Sequence, residues 1–369
     1  MEGSNIQTGG SAGSAGSAAT TRTRRTRFVC ISDTHNHNIK LPKGDVLIHA
    51  GDLTNMGGYS ELQSTLNWLD RADFECKIVV AGNHDLTLDT LFTRDFAHWF
   101  FNQAHTPEQC RGLLSQATTL TYLSHESRTI KLSSPDGPHT TFKLFASPLS
   151  PKFGSWAFTY DHDLGMHIWD AIPLDTDVLV THCPPYDLLD LVDRINESVG
   201  CPGLRQALWR VRPKLHVFGH IHEGRGVARA RWDLGPVPPG REGYMMESVT
   251  PWDDPAPNGG KMALQDISSR AGDAKLDNDG SPGVVAALAP TPGTIDTKWV
   301  GPPATLQGTR GMGGDPSSPS ADQLALAGRL NRKETCVVNA AIKSNSFHGG
   351  TSFNLNKPIV VDIDLPVWE

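Results

Sequence analysis

Five short apolar runs in this chain each stop at a cluster of side chains that can bind metal. Phe28-Val29-Cys30-Ile31 halts before Asp33 and His35, Asp45 to Ala50 before Asp52, and Lys77 to Ala81 before Asn83, His84 and Asp85. Asp177 to Val180 halts before His182, and Leu215 to Phe218 before His220 and His222. Short runs bounded by Gly and polar clusters read as strands, and their unbroken apolar character predicts burial on both faces. Leu62, Leu66 and Leu69 fall at helical spacing within residues 60–72, and Pro202 to Arg212 forms a further helix that Pro213 stops. Residues 88–103 and 163–171 read as helical, 120–132 and 141–147 as strands. Strands alternating with helices predict an α/β domain. In such sheets ligands bind outside the carboxyl ends of the strands. That edge then collects Asp33, Asp52, Asp85, Asn83 and the imidazoles of His35, His84, His182, His220 and His222.

Metal sites need side chains that converge. In an extended segment residues i and i+2 point the same way, so His220 and His222 can enter one crevice. Seven of the clustered residues can ligate metal: Asp33, His35, Asp52, Asn83, His182, His220 and His222. With Asp52 bridging, each of two ions receives four protein ligands and keeps a position for water. This is the open, mixed N/O coordination of a catalytic site rather than a closed structural one. His49 and His216 lie within strands and read as core histidines, and His37 reads as a solvated loop residue. Trp156, Phe158 and Tyr160 read first as packing aromatics, with a base-stacking wall as the alternative.

The ordered set Asp33-x-His35, Gly51-Asp52, Gly82-Asn83-His84-Asp85, His182 and Gly219-His220-x-His222 resembles the calcineurin-like metallophosphoesterases, over residues 28–222. The surrounding text is similar to the metallophosphoesterase-domain-containing subfamily: Val46 to Asp52, Thr181-His182-Cys183-Pro184-Pro185, and LHVFGHIHEG from Leu215 to Gly224. The likeness resumes at Val338-Asn339-Ala340 and Pro358 to Asp362. It implies a four-layer α/β/β/α sandwich of two mixed β-sheets flanked by helices, with a dinuclear centre at the strand ends. By motif, Asp33, His35 and His222 hold one ion, Asn83, His182 and His220 the other, and Asp52 bridges. The resemblance also implies that His84 assists the leaving group and that Asp85 orients it. Some subfamily members lose the final His of Gly-His-x-His; His222 is present here.

The implied cofactors are two divalent metal ions (Mn, Fe or Zn, with manganese favoured for activity). The implied reaction is hydrolysis of a small phosphodiester, a cyclic nucleotide among the candidates, with a phosphomonoesterase or protein phosphatase as the alternative. Two metals can lower the pKa of a shared water and clamp the phosphoryl oxygens during in-line attack. A reading of another class makes the chain a metal-stabilised interaction module. The intact ligand set argues against it, because scaffolding needs no open dinuclear site.

Composition bounds the rest. The apolar fraction is 38%, with 36 Gly and 26 Pro, which points to low-complexity portions. Residues 1–26, a Gly/Ser/Ala tract followed by arginines, read as a disordered arm. Residues 235–332 read as a disordered insertion at the tip of a hairpin between Val227–Trp232 and Cys336–Ala340. One domain, 27–234 plus 333–369, remains, and replacing residues 236–332 by a short linker is expected to leave hydrolysis intact. Six cysteines without a C-x-x-C pair suggest reduced thiols and an intracellular, cytoplasmic location. A net charge of −7 provides no global basic field for nucleic acid or acidic membranes. The expected partner is a small phosphoester substrate, a nucleotide among the candidates.

Overall fold

The computed structural model describes residues 22–234, 245–254, 260–278, 331–344 and 354–368. The apolar runs become central strands because alternate side chains in each enter different cores. In β1 (Thr23–Ile31), Phe28 and Cys30 face one core while Val29 and Ile31 face another. β2 (Val46–Ala50) and β3 (Cys76–Val80) divide their side chains the same way. These three are parallel, and β4 (Thr121–Tyr122) continues their sheet beyond β3. On the other side of β1 lie β17 (Ile359–Pro366) and β15 (Ala263–Asp266).

The second sheet runs in the order β14 (Met246–Trp252), β13 (Gly226–Trp232), β16 (Glu334–Asn339), β12 (Leu215–Phe218), β9 (Val178–Thr181), β6 (Thr141–Ser147), β5 (Glu126–Lys131). Its four central strands are parallel, and β5, β13 and β14 add antiparallel edges. The shared core between the sheets contains Phe28, Ile48 and Val80 from one and Leu144, Val180 and Val217 from the other. α1 (Tyr59–Asp70), α2 (Thr90–Asp95) and α3 (Pro107–Gln116) cover the first sheet's outer face through Leu62, Leu66, Phe92 and Leu113. α5 (Pro202–Val211), with α4 (Gly165–Ile168) beside it, covers the second through Leu204, Ala207 and Leu208. The result is the expected α/β/β/α sandwich. Short pairs β7 (Ser150–Pro151) with β8 (Thr159–Tyr160), and β10 (Leu191–Val192) with β11 (Glu197–Ser198), sit in the loops. Among the described residues no helix is long and apolar enough to cross a membrane.

Three expectations need correction. Residues 22–26 are not part of a disordered arm, because β1 begins at Thr23 and pairs antiparallel with β17 from Thr23↔Pro366 onward. Ladder hydrogen bonds and a charge pair offset the chain entropy there. Arg27 Nε and Nη2 each donate at 2.7 Å to the buried Asp362, and Arg25 lies 3.5 Å from the same carboxylate. Residues 1–21 lie outside the described residues.

The segment 235–332 is not uniformly unstructured either. β14 extends the second sheet and β15 the first, while Ala263, Ile267 and Leu276 enter the shared core. Pro251 is tolerated in β14 because that strand is an edge. Residues 235–244, 255–259 and 279–330 lie outside the described residues. Finally, residues 88–103 are not one helix. Asp89 ends a 3₁₀ turn at Leu86–Leu88 and caps α2, accepting from Leu91 N at 2.8 Å and Phe92 N at 3.1 Å, and a separate turn follows at Ala97–Trp99.

His49 and His216 are fully buried, as expected of core histidines. Thr181 Oγ1 gives its proton to Cys183 O at 2.7 Å and accepts from His216 Nε2 at 2.8 Å. Burial drives the His216 pKa down to about 3. An unfolded His titrates near 6.5, so between those values only the unfolded chain binds the proton, and stability falls as pH falls. Chelated protein should lose about 1.4 kcal/mol more per pH unit between pH 6 and 5 than His216→Asn does. Denaturant titrations at the two pH values measure this; parallel losses would mean His216 protonates in place.

Candidate metal centre

The strands deliver their terminal side chains to one edge because both sheets end together there. Ser32 N donates to Ala340 O at 3.0 Å and Ile342 N to Ser32 O at 2.9 Å, joining the end of β1 to the end of β16. Within each sheet the pairing continues past the strands: Asp33 N donates to Gly51 O at 2.9 Å, His35 N to Asp52 O at 3.1 Å, and Gly219 N to His182 O at 3.1 Å. The backbone bends sharply to turn the ligands inward. Asp33 (φ 52°), His35 (44°), Asp52 (54°) and His220 (70°) all occupy the left-handed region. L-residues adopt it only at a cost, and such strain gathers at functional sites.

Two glycines make the approach possible. A β-carbon on Gly219 would lie 2.0 Å from Asp33 Oδ2, and one on Gly82 would lie 2.3 Å from Asp52 N and Oδ1. Space for the Asp33 and Asp52 carboxylates thus depends on bare backbone opposite each.

The structure brings six of the seven expected ligands into short contact. His222 Nε2 lies 3.3 Å from Asp33 Oδ1 and 3.4 Å from His35 Nε2. Asp52 divides its two oxygens: Oδ2 is 3.6 Å from His35 Nε2, and Oδ1 is 3.4 Å from His182 Nε2. His182 Nε2 is also 2.9 Å from Asn83 Oδ1, while its Nδ1 donates to Ala50 O at 3.0 Å. The seventh, His220, stands with its ring centroid 5.0 Å from that of His182, and its backbone N donates to both Asp33 oxygens at 3.0 Å.

The donor set fits divalent cations. Ligand atoms of Asp33, His35 and His222 lie within 4.8 Å of one another, as do those of Asp33, Asp52 and His182. Burial pushes the pKa values of His35 and His220 down to about 3 and lowers that of His182, so these imidazoles are neutral, as metal ligands must be. Burial, then the charge of Asp33, drives Asp52 up to about 7. Burial pushes Asp33 up too, but the hydrogen bond and charge of His222 hold it below the usual carboxylate range. Among the described residues no Lys or Arg pairs with either carboxylate, and His35 Nδ1 is buried without a hydrogen-bond partner. Two buried carboxylates face three neutral imidazoles and His222, whose pKa the Asp33 hydrogen bond and charge raise against burial, and metal ions would add the positive charge that this set is short of.

Asp85 does not do what was expected of it. Its carboxylate accepts from Gly82 N (2.8 Å), Thr54 N (2.9 Å), Thr54 Oγ1 (2.7 Å) and Leu53 N (3.2 Å), and makes no hydrogen bond to His84. Four donors from the two loops enclose it, so Asp85 fastens the loop after β2 to the loop after β3. The group that holds His84 is the Asn55 carbonyl, 2.8 Å from Nδ1. A carbonyl only accepts, so Nδ1 carries the proton and Nε2 is left for chemistry.

His84 also lines a cavity of about 240 Å³ with Asp52, Asn83, Ser150, Phe153 and Trp156. Phe158 and Tyr160 are buried, as packing aromatics are, but Trp156 opens onto the site. Sequence reasoning missed Ser150 and Phe153, which carry no local signal. It also missed Asn339, whose Nδ2 donates to Ile221 O at 2.8 Å and Leu189 O at 3.0 Å, steadying the Gly219–His222 turn. A polar residue closing one more apolar run was the available clue. His37 is exposed, as expected of a loop residue.

Comparison with known proteins bears on this geometry. The chain is 40% identical over 210 residues to human metallophosphoesterase domain-containing protein 1, covering 54% of this chain and 62% of that protein. It is 44% identical over 210 residues to a protein of Emericella nidulans named probable rhamnogalacturonate lyase C, covering 56% of this chain but 18% of that one. The chain thus spans less than two thirds of either relative. A solved purple acid phosphatase from yellow lupin seeds shares 12% identity at a TM-score of 0.32, over 60% of this chain and 41% of that one. The family profile for calcineurin-like phosphoesterases matches residues 26–224, the stretch that supplies every candidate ligand described above. With strands, ligand order and profile in agreement, the chain belongs to the calcineurin-like phosphoesterase family.

Proposed function

We propose that this protein is a metal-dependent phosphoester hydrolase that prefers small phosphodiesters. The observation that carries the reading is Asp52, whose two oxygens face separate donor groups beside an open cavity. Asp33, His35 and His222 would hold one divalent ion and Asn83, His182 and His220 the other, with Asp52 shared; manganese is the ion favoured for activity. When bound, such a pair supplies a water of lowered pKa and neutralises phosphoryl charge.

The chain's own groups do the rest. His84, with its Nδ1–H held on Asn55 O, would act as the doubly protonated imidazolium, passing its Nε2 proton to the departing oxygen and keeping the Nδ1 proton, worth typically about 10²–10⁴ in rate. Asp85 keeps Asp52 and His84 in register by fastening their loops together. The cavity walls at Ser150 and Phe153 give a second ester substituent a place to lie. No Lys or Arg lines that cavity among the described residues, so the extra charge of a monoester dianion finds no ammonium or guanidinium there. A singly charged diester suits it better.

With manganese, bis-(4-nitrophenyl) phosphate should be hydrolysed with kcat/KM about tenfold or more above 4-nitrophenyl phosphate, a gap of roughly 1.4 kcal/mol in transition-state binding. Turnover of the monoester alone would favour the phosphomonoesterase reading. Absence of turnover on both would leave the interaction module.

A further inference from the structure

The proton donor needs more than one hydrogen bond to stay aimed. A histidine's χ2 is a broad, two-fold torsion, so rotamer preference alone does not fix the ring. The Asn55 bond pins a single atom and still permits the imidazole to rock about it. Neighbours must supply the remaining constraint, and two do. His35 stands edge-on with ring centroids 4.8 Å apart and planes at 87°. Trp156 lies against the ring at 4.2 Å and 35°.

The Trp156 indole is itself tied to the segment it braces. Ala157 N donates to Asn83 O at 3.2 Å, joining the residue after Trp156 to the residue before His84. Phe158 N donates to Asp89 Oδ2 at 2.6 Å, and both Ala157 and Phe158 are buried. Thr159 Oγ1 donates to Trp156 O at 3.3 Å. The indole is therefore anchored on its C-terminal side to the very loop that carries His84. Phe153, which lines the same cavity, is 83% exposed and has no such anchorage.

We propose that Trp156 is a positioning residue that holds the His84 imidazole in its proton-donating orientation. The inference rests on the proton-donor reading of His84 above. It assigns Trp156 a role in kcat rather than in substrate affinity. Protonation matters most when the departing oxygen is a poor leaving group, because a stabilised phenolate departs without help. Losing the brace should therefore hurt substrates unequally.

The test is a leaving-group series of methyl aryl phosphodiesters, from 4-nitrophenyl to phenyl, with the manganese-loaded full chain. Wild type, Trp156→Ala, Trp156→Phe and His84→Ala are compared, with metal content and circular dichroism recorded for each. Trp156→Ala should lose about 10–100-fold in kcat on the phenyl ester, the scale of a misplacement of about 1 Å. It should lose little on the nitrophenyl ester and keep KM within about threefold. Trp156→Phe, which restores a flat face, should recover most of the rate. His84→Ala should show the steepest dependence on leaving group.

A raised KM with unchanged kcat and slope in Trp156→Ala would make the indole a substrate wall and overturn the inference. An equal loss on every ester, with metal retained, would overturn it as well. If His84→Ala is steep while Trp156→Ala is as shallow as wild type, only the Trp156 inference falls. A wild-type slope in His84→Ala would remove the proton-donor reading, and the Trp156 role with it.

Discussion

Asp52→Asn is expected to abolish metal-dependent hydrolysis and yet leave a folded protein. The carboxylate serves both halves of the site, with Oδ2 3.6 Å from His35 and Oδ1 3.4 Å from His182. It also accepts from His84 N at 2.9 Å, so it shapes the loop of the proton donor. An amide keeps one acceptor oxygen, replaces the other with a donor and removes a full negative charge. Loss of kcat/KM should reach at least about 10³-fold, the upper end of what one electrostatic contact contributes. Bound metal should fall below two ions per chain. Without metal the sign reverses for stability. Asp52 and Asp33 are both buried beside each other, so a neutral residue relieves repulsion and desolvation together. Chelated Asp52→Asn should melt no lower than chelated wild type, and a clearly lower melting temperature would contradict that electrostatic picture.

Replacing residues 236–332 by a short Gly/Ser linker, harmless on the sequence reading, should instead destabilise the protein severely. The replacement removes β14 and β15, which extend one sheet each. It removes Ala263, Ile267 and Leu276 from the shared core, and Trp252, which packs against it. Asn278, whose Nδ2 donates to Arg212 O at 3.0 Å and Glu334 O at 2.8 Å, goes too. Each large buried apolar side chain lost costs about 2–5 kcal/mol, against a total stability of about 5–15 kcal/mol. β14 also returns to the metal edge, where Trp252 pairs with Val227 and Asp254 lies 2.6 Å from Lys357. Denaturant titration should show a large drop in the midpoint or no cooperative transition at all. An unchanged midpoint would mean that these strands add nothing to the core.

The five central strands and the candidate ligands that end them were legible because both signals are local. An apolar run buried on two faces keeps its composition wherever its partner lies, and the residues ending it follow directly in sequence. β1 could not be traced back to Thr23, because its first five residues owe their order to β17, whose Asp362 is far along the chain. β14 and β15 hid in Gly- and Pro-rich surroundings for the same reason: their partners, β13 and β17, are distant or separated by residues of weak strand propensity. The role given to Asp85 failed on a finer scale. Adjacency to His84 suggested a partner, but adjacent side chains diverge, and the loop after β2 supplied three of the four donors for Asp85 and the acceptor for His84. Trp156 was noticed but its ring contact with His84 was not predictable, because a loop of another sheet carries it.

On the proposed reading, two ions held through Asp52 enable hydrolysis. Stepwise reconstitution of chelator-stripped protein with manganese, with bound metal and phosphodiester turnover recorded at each step, tests this. Turnover should stay low up to one equivalent, then rise and saturate at two bound ions per chain. Turnover that survives complete chelation, or its absence with two ions bound, would contradict it.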